Sequence, residues 1–306
     1  MLRKLIILAV ILGVIGLGVF WVVTIPKTVT DSELSRQYIA NLANGKEMFY
    51  AGGCPACHAV PGQEDRTRLG GGLGLKSPYG TFYAPNISPD PQDGIGLWSA
   101  AEFVTAVMKG TSPEGTHYFP AFPYPSYQRM KVEDVRDMFA FLRTLPPVKG
   151  KVRDHDVQFP FNIRRLLGGW KFLFLDGKPF TPDPAQSAQW NRGAYLVNGP
   201  SHCAECHSPR NVLGGIVGGQ RFAGGPNIEG EGWIPNITQK GIGSYSEKDI
   251  AYLLKTGDMP DGDSVGGAMT AVIRNTSQLT DEDRAAMATY IKSLPPVEGP
   301  PKPAKK

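Results

Sequence analysis

Cysteine is scarce in this chain. Its 306 residues hold four, all inside two five-residue patterns, Cys54-Pro55-Ala56-Cys57-His58 and Cys203-Ala204-Glu205-Cys206-His207. Nothing remains for a disulfide or a free thiol nucleophile. Charge is also thin: charged residues make up 20% and the net charge is +4, part of that excess lying in the C-terminal tail. Such a balance carries no basic stripe of the kind that binds nucleic acid. Long apolar runs are missing except for one, the 19 uncharged residues from Leu5 to Val23. Glycine (37) and proline (27) are abundant, as expected of loop-rich domains.

The two cysteine patterns carry the chemistry. In C-x-x-C-H the thiols form thioether bonds to porphyrin vinyl groups, and the adjacent imidazole becomes the proximal ligand of the iron. A structural zinc site recruits further Cys or His at close spacing, and a redox dithiol does not explain a following His twice over. Two covalently bound c-type haems are therefore expected, held by Cys54, Cys57, Cys203 and Cys206, with His58 and His207 on the irons.

The run Leu5 to Val23, at about 1.5 Å per residue, matches the roughly 30 Å hydrocarbon core of a bilayer. Arg3 and Lys4 precede it, so the positive-inside rule leaves the N-terminus in the cytoplasm and the rest outside. A cleaved signal peptide is the competing reading, but its apolar region is shorter and Thr24-Ile25-Pro26-Lys27 is a poor cleavage site. The expectation is a single N-terminal anchor in the bacterial inner membrane, with haem domains in the periplasm, where c-type haems are attached.

The second half of the chain repeats the first. Cys54 and Cys203 lie 149 residues apart, as do Leu145 and Leu294. Pro85-Asn86-Ile87 matches Pro235-Asn236-Ile237, Gly110 matches Gly257, and Pro146-Pro147 matches Pro295-Pro296. Periodicity and capping signals predict helices over 37–51, 100–109 and 133–144, with long loops over 70–86 and 111–128. The organisation expected is an anchor (1–26), a first domain (27–147) opening with a polar tether at 27–33, a linker (148–189) with an apolar segment at 159–172, a second domain (190–296) and a disordered tail (297–306). For the apolar segment, a helix packed across both domains competes with a membrane-surface or partner-docking helix.

A helix before the haem motif, a ligand loop after it and a short closing helix resemble the class I cytochrome c fold, so the fold class expected is mainly α, two tandem class I cytochrome c domains plus an N-terminal transmembrane helix. Asn86-Ile87-Ser88-Pro89-Asp90, Phe161-Asn162-Ile163-Arg164 with Gly169-Trp170, and Arg192-Gly193-Ala194-Tyr195-Leu196-Val197 with Cys206-His207-Ser208-Pro209-Arg210 are similar to the cytochrome c subunits of bacterial membrane-bound alcohol, gluconate and aldehyde dehydrogenases. Many of those carry three haems, whereas two motifs stand here.

The resemblance implies Met269 as distal ligand of the second haem, with Met259 its rival. The repeat places Phe122 where Met269 stands, and phenylalanine cannot ligate iron. His117 and Met130 are then candidate sixth ligands for the first haem, with Met108 or an open five-coordinate iron as alternatives. His155 and His202 read as structural or exposed. A His/His first haem would lie below a His/Met second haem in potential.

The function implied is a membrane-anchored dihaem electron-transfer protein that takes electrons from a periplasmic dehydrogenase and passes them to another cytochrome, an oxidase or a quinone-linked complex. No nucleic-acid partner is expected, and catalysis is expected to lie in the partner. Two other classes remain open: a dihaem enzyme of peroxidase or thiosulfate dehydrogenase type, and the dihaem subunit of a terminal oxidase.

Overall fold

The computed structural model describes residues 1–34, 37–228, 230 and 232–302. The chain folds into an N-terminal helix and two helical domains built on one plan. Helix α1 (Leu2–Val23) carries the apolar run and buries none of its residues in the protein. In the first domain, α2 (Leu42–Ala51) leads into α3 (Cys54–His58). A hairpin of β1 (Gly74–Ser77) and β2 (Gly80–Tyr83) comes next, then α4 (Ala100–Lys109), α5 (Tyr124–Tyr127) and α6 (Val132–Leu142). After β3 (Asp156–Val157), which pairs antiparallel with β2, α7 (Leu166–Phe174) fills the interdomain segment. The second domain contains α8 (Ala188–Asn198), α9 (Ala204–His207), a short ribbon of β4 (Gly225–Pro226) and β5 (Trp233–Ile234), then α10 (Gln239–Ile242), α11 (Glu247–Thr256), α12 (Ala268–Thr276) and α13 (Asp281–Ser293).

The repeat is visible in the caps. Ser99 and Ser246 each accept from the backbone N–H three residues on, while Glu102 and Asp249 reach back to the cap N–H. Both helices stop at a left-handed glycine, Gly110 and Gly257, a backbone state that side chains resist. The opening and closing helices of each domain cross at another glycine. A Cβ on Gly45 would sit 2.1 Å from the Asp137 carbonyl oxygen, and one on Gly193 would sit 1.8 Å from that of Ala286. Only a bare backbone lets α2 meet α6, and α8 meet α13, at that distance.

Several boundaries move from expectation. The opening helix begins at Leu42, not at residue 37, because Asn41 caps it, accepting from the N–H groups of Ala43 and Asn44, and Ile39 ahead of the cap is exposed. The closing helix is Val132–Leu142, the 70–86 loop contains the hairpin and the 111–128 loop contains α5. The tether is pinned, since the Val29 N–H donates to Thr105 Oγ1 at 2.8 Å. Part of the expected tail is docked as well: the Val297 N–H donates to Thr238 Oγ1 and Lys240 pairs with Glu298, while residues 303–306 lie outside the described residues.

Helix α7 bridges. Its Lys171 Nζ donates to the carbonyls of Lys109 and Gly110 at 2.7 and 2.6 Å, satisfying the open end of α4. Burial pushes that amine down to about 7. On the other side the Trp170 indole donates to the Leu213 carbonyl in the second domain, so the segment does pack across both domains.

Candidate haem sites

The first motif forms the single turn α3, so that Cys54, Cys57 and His58 stand at i, i+3 and i+4 on one face. The second motif repeats this through Cys203 and α9. No cysteine of the four is in a disulfide. Burial pushes the Cys54 and Cys203 thiols up to about 12, aided by Cys57 and Cys206, so both are protonated before any thioether forms.

The two motif histidines share one geometry. His58 Nδ1 lies 2.8 Å from the Pro85 carbonyl, and His207 Nδ1 lies 2.8 Å from that of Pro235. A carbonyl can only accept, so Nδ1 carries the proton and Nε2 keeps its lone pair, without a hydrogen bond among the described residues. Burial lowers the pKa of both rings against the opposing pull of the carbonyl, which keeps them neutral. A neutral ring oriented through its other nitrogen is the arrangement of a metal-bound imidazole. Each turn is closed the same way, by the Gly71 N–H on the His58 carbonyl and the Gly224 N–H on the His207 carbonyl, both at 2.8 Å. The donor sets and their supports fit a c-type haem twice. The Pro-Asn-Ile repeat was visible in the sequence, but the task of its proline carbonyl was not.

The distal candidates separate. Met269 stands in the first turn of α12, half-buried against the core. Met259 lies in the preceding loop, its N–H bonded to the Asp263 carbonyl. Phe122 occupies the matching place in the first domain, its ring 5.8 Å from Tyr118, 5.7 Å from Tyr127 and 6.4 Å from Tyr124. His117 points to another task. Its Nε2 lies 2.9 Å from the Thr24 carbonyl at the end of α1, and Gly168 of α7 packs against the same nitrogen. Its Nδ1 is buried without a hydrogen-bond partner among the described residues. Nε2 is thus committed to holding the N-terminal helix, and Nδ1 is the nitrogen left through which His117 could ligate an iron. Met130 is buried in the core beside Gly199 of the second domain, and Met108 is buried in α4. His155 accepts from the Tyr83 N–H, a structural task.

Sequence reasoning missed the junction between the motifs. The Tyr127 hydroxyl donates to the Gly52 carbonyl at 2.7 Å, two residues before Cys54. Its ring meets that of His202, next to Cys203, edge-on at 5.6 Å, and His202 bonds the Gly52 backbone in turn. Ser126 Oγ donates to Glu205 at 2.6 Å, inside the second motif, and Arg210 pairs with the same carboxylate at 2.7 Å. Helix α12 packs reciprocally on α2 and α3. Helix α5 of the first domain therefore lies against the second haem motif, and α12 of the second domain against the first. A Tyr in one loop and a His beside a Cys motif carry no local signal of such a meeting.

The cytochrome c family model matches residues 42–146 and 190–295. A dihaem cytochrome c-type protein of Cereibacter sphaeroides is 48% identical over 271 residues, covering 88% of this chain and 91% of that protein. The cytochrome c subunit of a quinone-type alcohol dehydrogenase from Gluconacetobacter polyoxogenes is 40% identical, covering 84% of this chain and 57% of that protein. The cytochrome subunit of a fructose dehydrogenase from Gluconobacter japonicus is 36% identical over 261 residues, covering 83% of this chain and 53% of that protein. The chain thus spans little more than half the length of these two dehydrogenase relatives. With two matched domains, two C-x-x-C-H turns and relatives of this kind, the chain belongs to the cytochrome c family and carries two covalently bound c-type haems.

Proposed function

We propose that this protein is a membrane-anchored dihaem electron-transfer subunit that accepts electrons from a periplasmic dehydrogenase and hands them to the respiratory chain. The observation that carries this reading is the junction at Tyr127 and His202, where two like haem motifs abut across one domain boundary. A haem supplies one-electron chemistry between ferric and ferrous iron; the protein supplies distance, orientation and dielectric. Cys54, Cys57 and His58 are assigned to the first haem, Cys203, Cys206 and His207 to the second. Met269 is assigned as the second distal ligand, and a thioether there favours ferrous iron. For the first haem, the phenylalanine at position 122 supports a distal side without a strong ligand at that position, and His117, whose Nε2 is held by Thr24, could ligate only through Nδ1. Helix α1, apolar and unburied over 22 residues, supports the anchor.

The relatives include cytochrome subunits of alcohol, fructose and gluconate dehydrogenases. They support a dehydrogenase partner, and affinity purification of the tagged full chain from membranes tests it. The expected result is co-purification of a dehydrogenase whose substrate reduces both haems. Peroxide turnover by the isolated chain, or recovery with a copper-haem oxidase core instead, would overturn the reading.

A further inference from the structure

The end of α1 is locked to α7, and this fixes where α7 lies relative to the anchor. Arg165 donates to Thr24 Oγ1 at 2.7 Å and to the Trp21 carbonyl at 2.6 Å, and its guanidinium lies 4.2 Å from the centre of the Trp21 ring. Gly168 is pressed against Thr24, and a Cβ on Gly169 would come within 3.5 Å of the Phe20 ring. Around α7, Leu166, Gly169, Phe172 and Leu173 share one face, at i, i+3, i+6 and i+7. Lys171 lies outside it and is turned into the protein. The glycine that touches Phe20 sits in the middle of this strip, so the strip flanks the anchor.

The strip is bare in the folded chain: Phe172 is 67% exposed and Leu173 63%. Beside it, the turn Val212–Leu213 is also exposed, tied to α7 through the Trp170 indole. Clustered exposed apolar side chains of this size are costly in water.

We propose that this strip, with the Val212–Leu213 turn, is immersed in the outer leaflet at the boundary between headgroups and acyl chains, holding both cytochrome domains against the bilayer in one orientation. The proposal rests on α1 spanning the membrane. The last turn of a spanning helix lies at the interface, where Trp belongs, and residues fastened to that turn lie at the same depth. The neighbouring surface is then lipid and not a protein partner.

The test uses the full-length holoprotein, alone, in nanodiscs of phosphatidylethanolamine and phosphatidylglycerol. Because haem attachment consumes all four native thiols, Phe172→Cys, Leu213→Cys and Tyr252→Cys each introduce one reactive thiol; Tyr252 is comparably exposed on α11. Lipid immersion withholds water and suppresses the thiolate, so a water-soluble maleimide should label positions 172 and 213 about tenfold more slowly than 252. Equal rates at all three, with the protein retained in the disc, would overturn the immersion and leave the anchor standing. Release of the protein from the discs would overturn both.

Discussion

At the residue scale the repeat sets Phe122 of the first domain against Met269, in the first turn of α12, of the second. Replacing Met269 by Ala removes the only assigned thioether, so the second haem should lose its sulfur-to-iron charge-transfer absorption and fall in potential by on the order of 100 mV, read by potentiometric titration. Phe122→Met offers the reverse change. It should raise the potential of the first haem and suppress the binding of carbon monoxide expected of the unaltered first site. Wild-type protein in which neither haem binds carbon monoxide would remove the assignment of a weakly ligated first site. The cysteine and motif histidine positions were legible because covalent attachment dictates their spacing. The fate of His117 was not, because its partner, Thr24, lies 93 residues away.

At the scale of elements, each domain rests on one helix crossing, and each crossing rests on one glycine. Gly193→Ala places a methyl group against the Ala286 carbonyl, and Gly45→Ala does the same at Asp137. Ala is the better helix former by about 1 kcal/mol, but the backbone clash outweighs that gain. A net loss of about 2–3 kcal/mol is expected for either substitution, measured as lowered midpoints of denaturant unfolding monitored at the haem bands. The helix positions were largely legible, since Ser99 with Gly110 and Ser246 with Gly257 bracket α4 and α11. The strands and α5 were not: β1 and β2 are a hairpin of four-residue strands, β2 takes its other partner from the distant residues 156–157, and α5 is one turn within a loop.

At the scale of the whole molecule the domains are held by polar contacts as well as by α7. Arg192 of α8 pairs with Asp283 through Nε at 2.8 Å and with Glu47 of α2 across the boundary. Tyr195 of α8 donates to Asp134 of α6. Burial, reinforced by the facing Asp283, raises the Glu47 carboxyl from 4.5 to about 7. Asp283 moves the other way: burial opposes its charge, but hydrogen bonds from Arg192 and Glu47 outweigh that and hold it below 3.8. A carboxyl with a raised folded pKa takes up protons on folding, so its contribution is fully present below 4.5 and is lost as pH rises through about 7. The Asp283 contribution is present above 3.8 and lost only as pH falls through its lowered value. Stability should therefore decline between pH 4.5 and about 7, and Glu47→Gln should flatten that decline. Thermal unfolding across the window checks this, and an unchanged slope in the variant would assign the decline elsewhere.

What the sequence determined by itself is local: two haem attachment sites, the duplicated helical plan, the apolar N-terminal helix and the loss of methionine at position 122. Each follows from spacing, capping or periodicity within a few residues, where covalent geometry and backbone hydrogen bonding leave little choice. Tertiary structure alone decided how the copies meet. The meeting of Tyr127 with His202, the capture of His117 by Thr24 and the clamp of Arg165 on Trp21 join residues 75 to 144 positions apart. Such contacts arise from packing two cores and a helix together, and leave no periodicity in the chain to announce them.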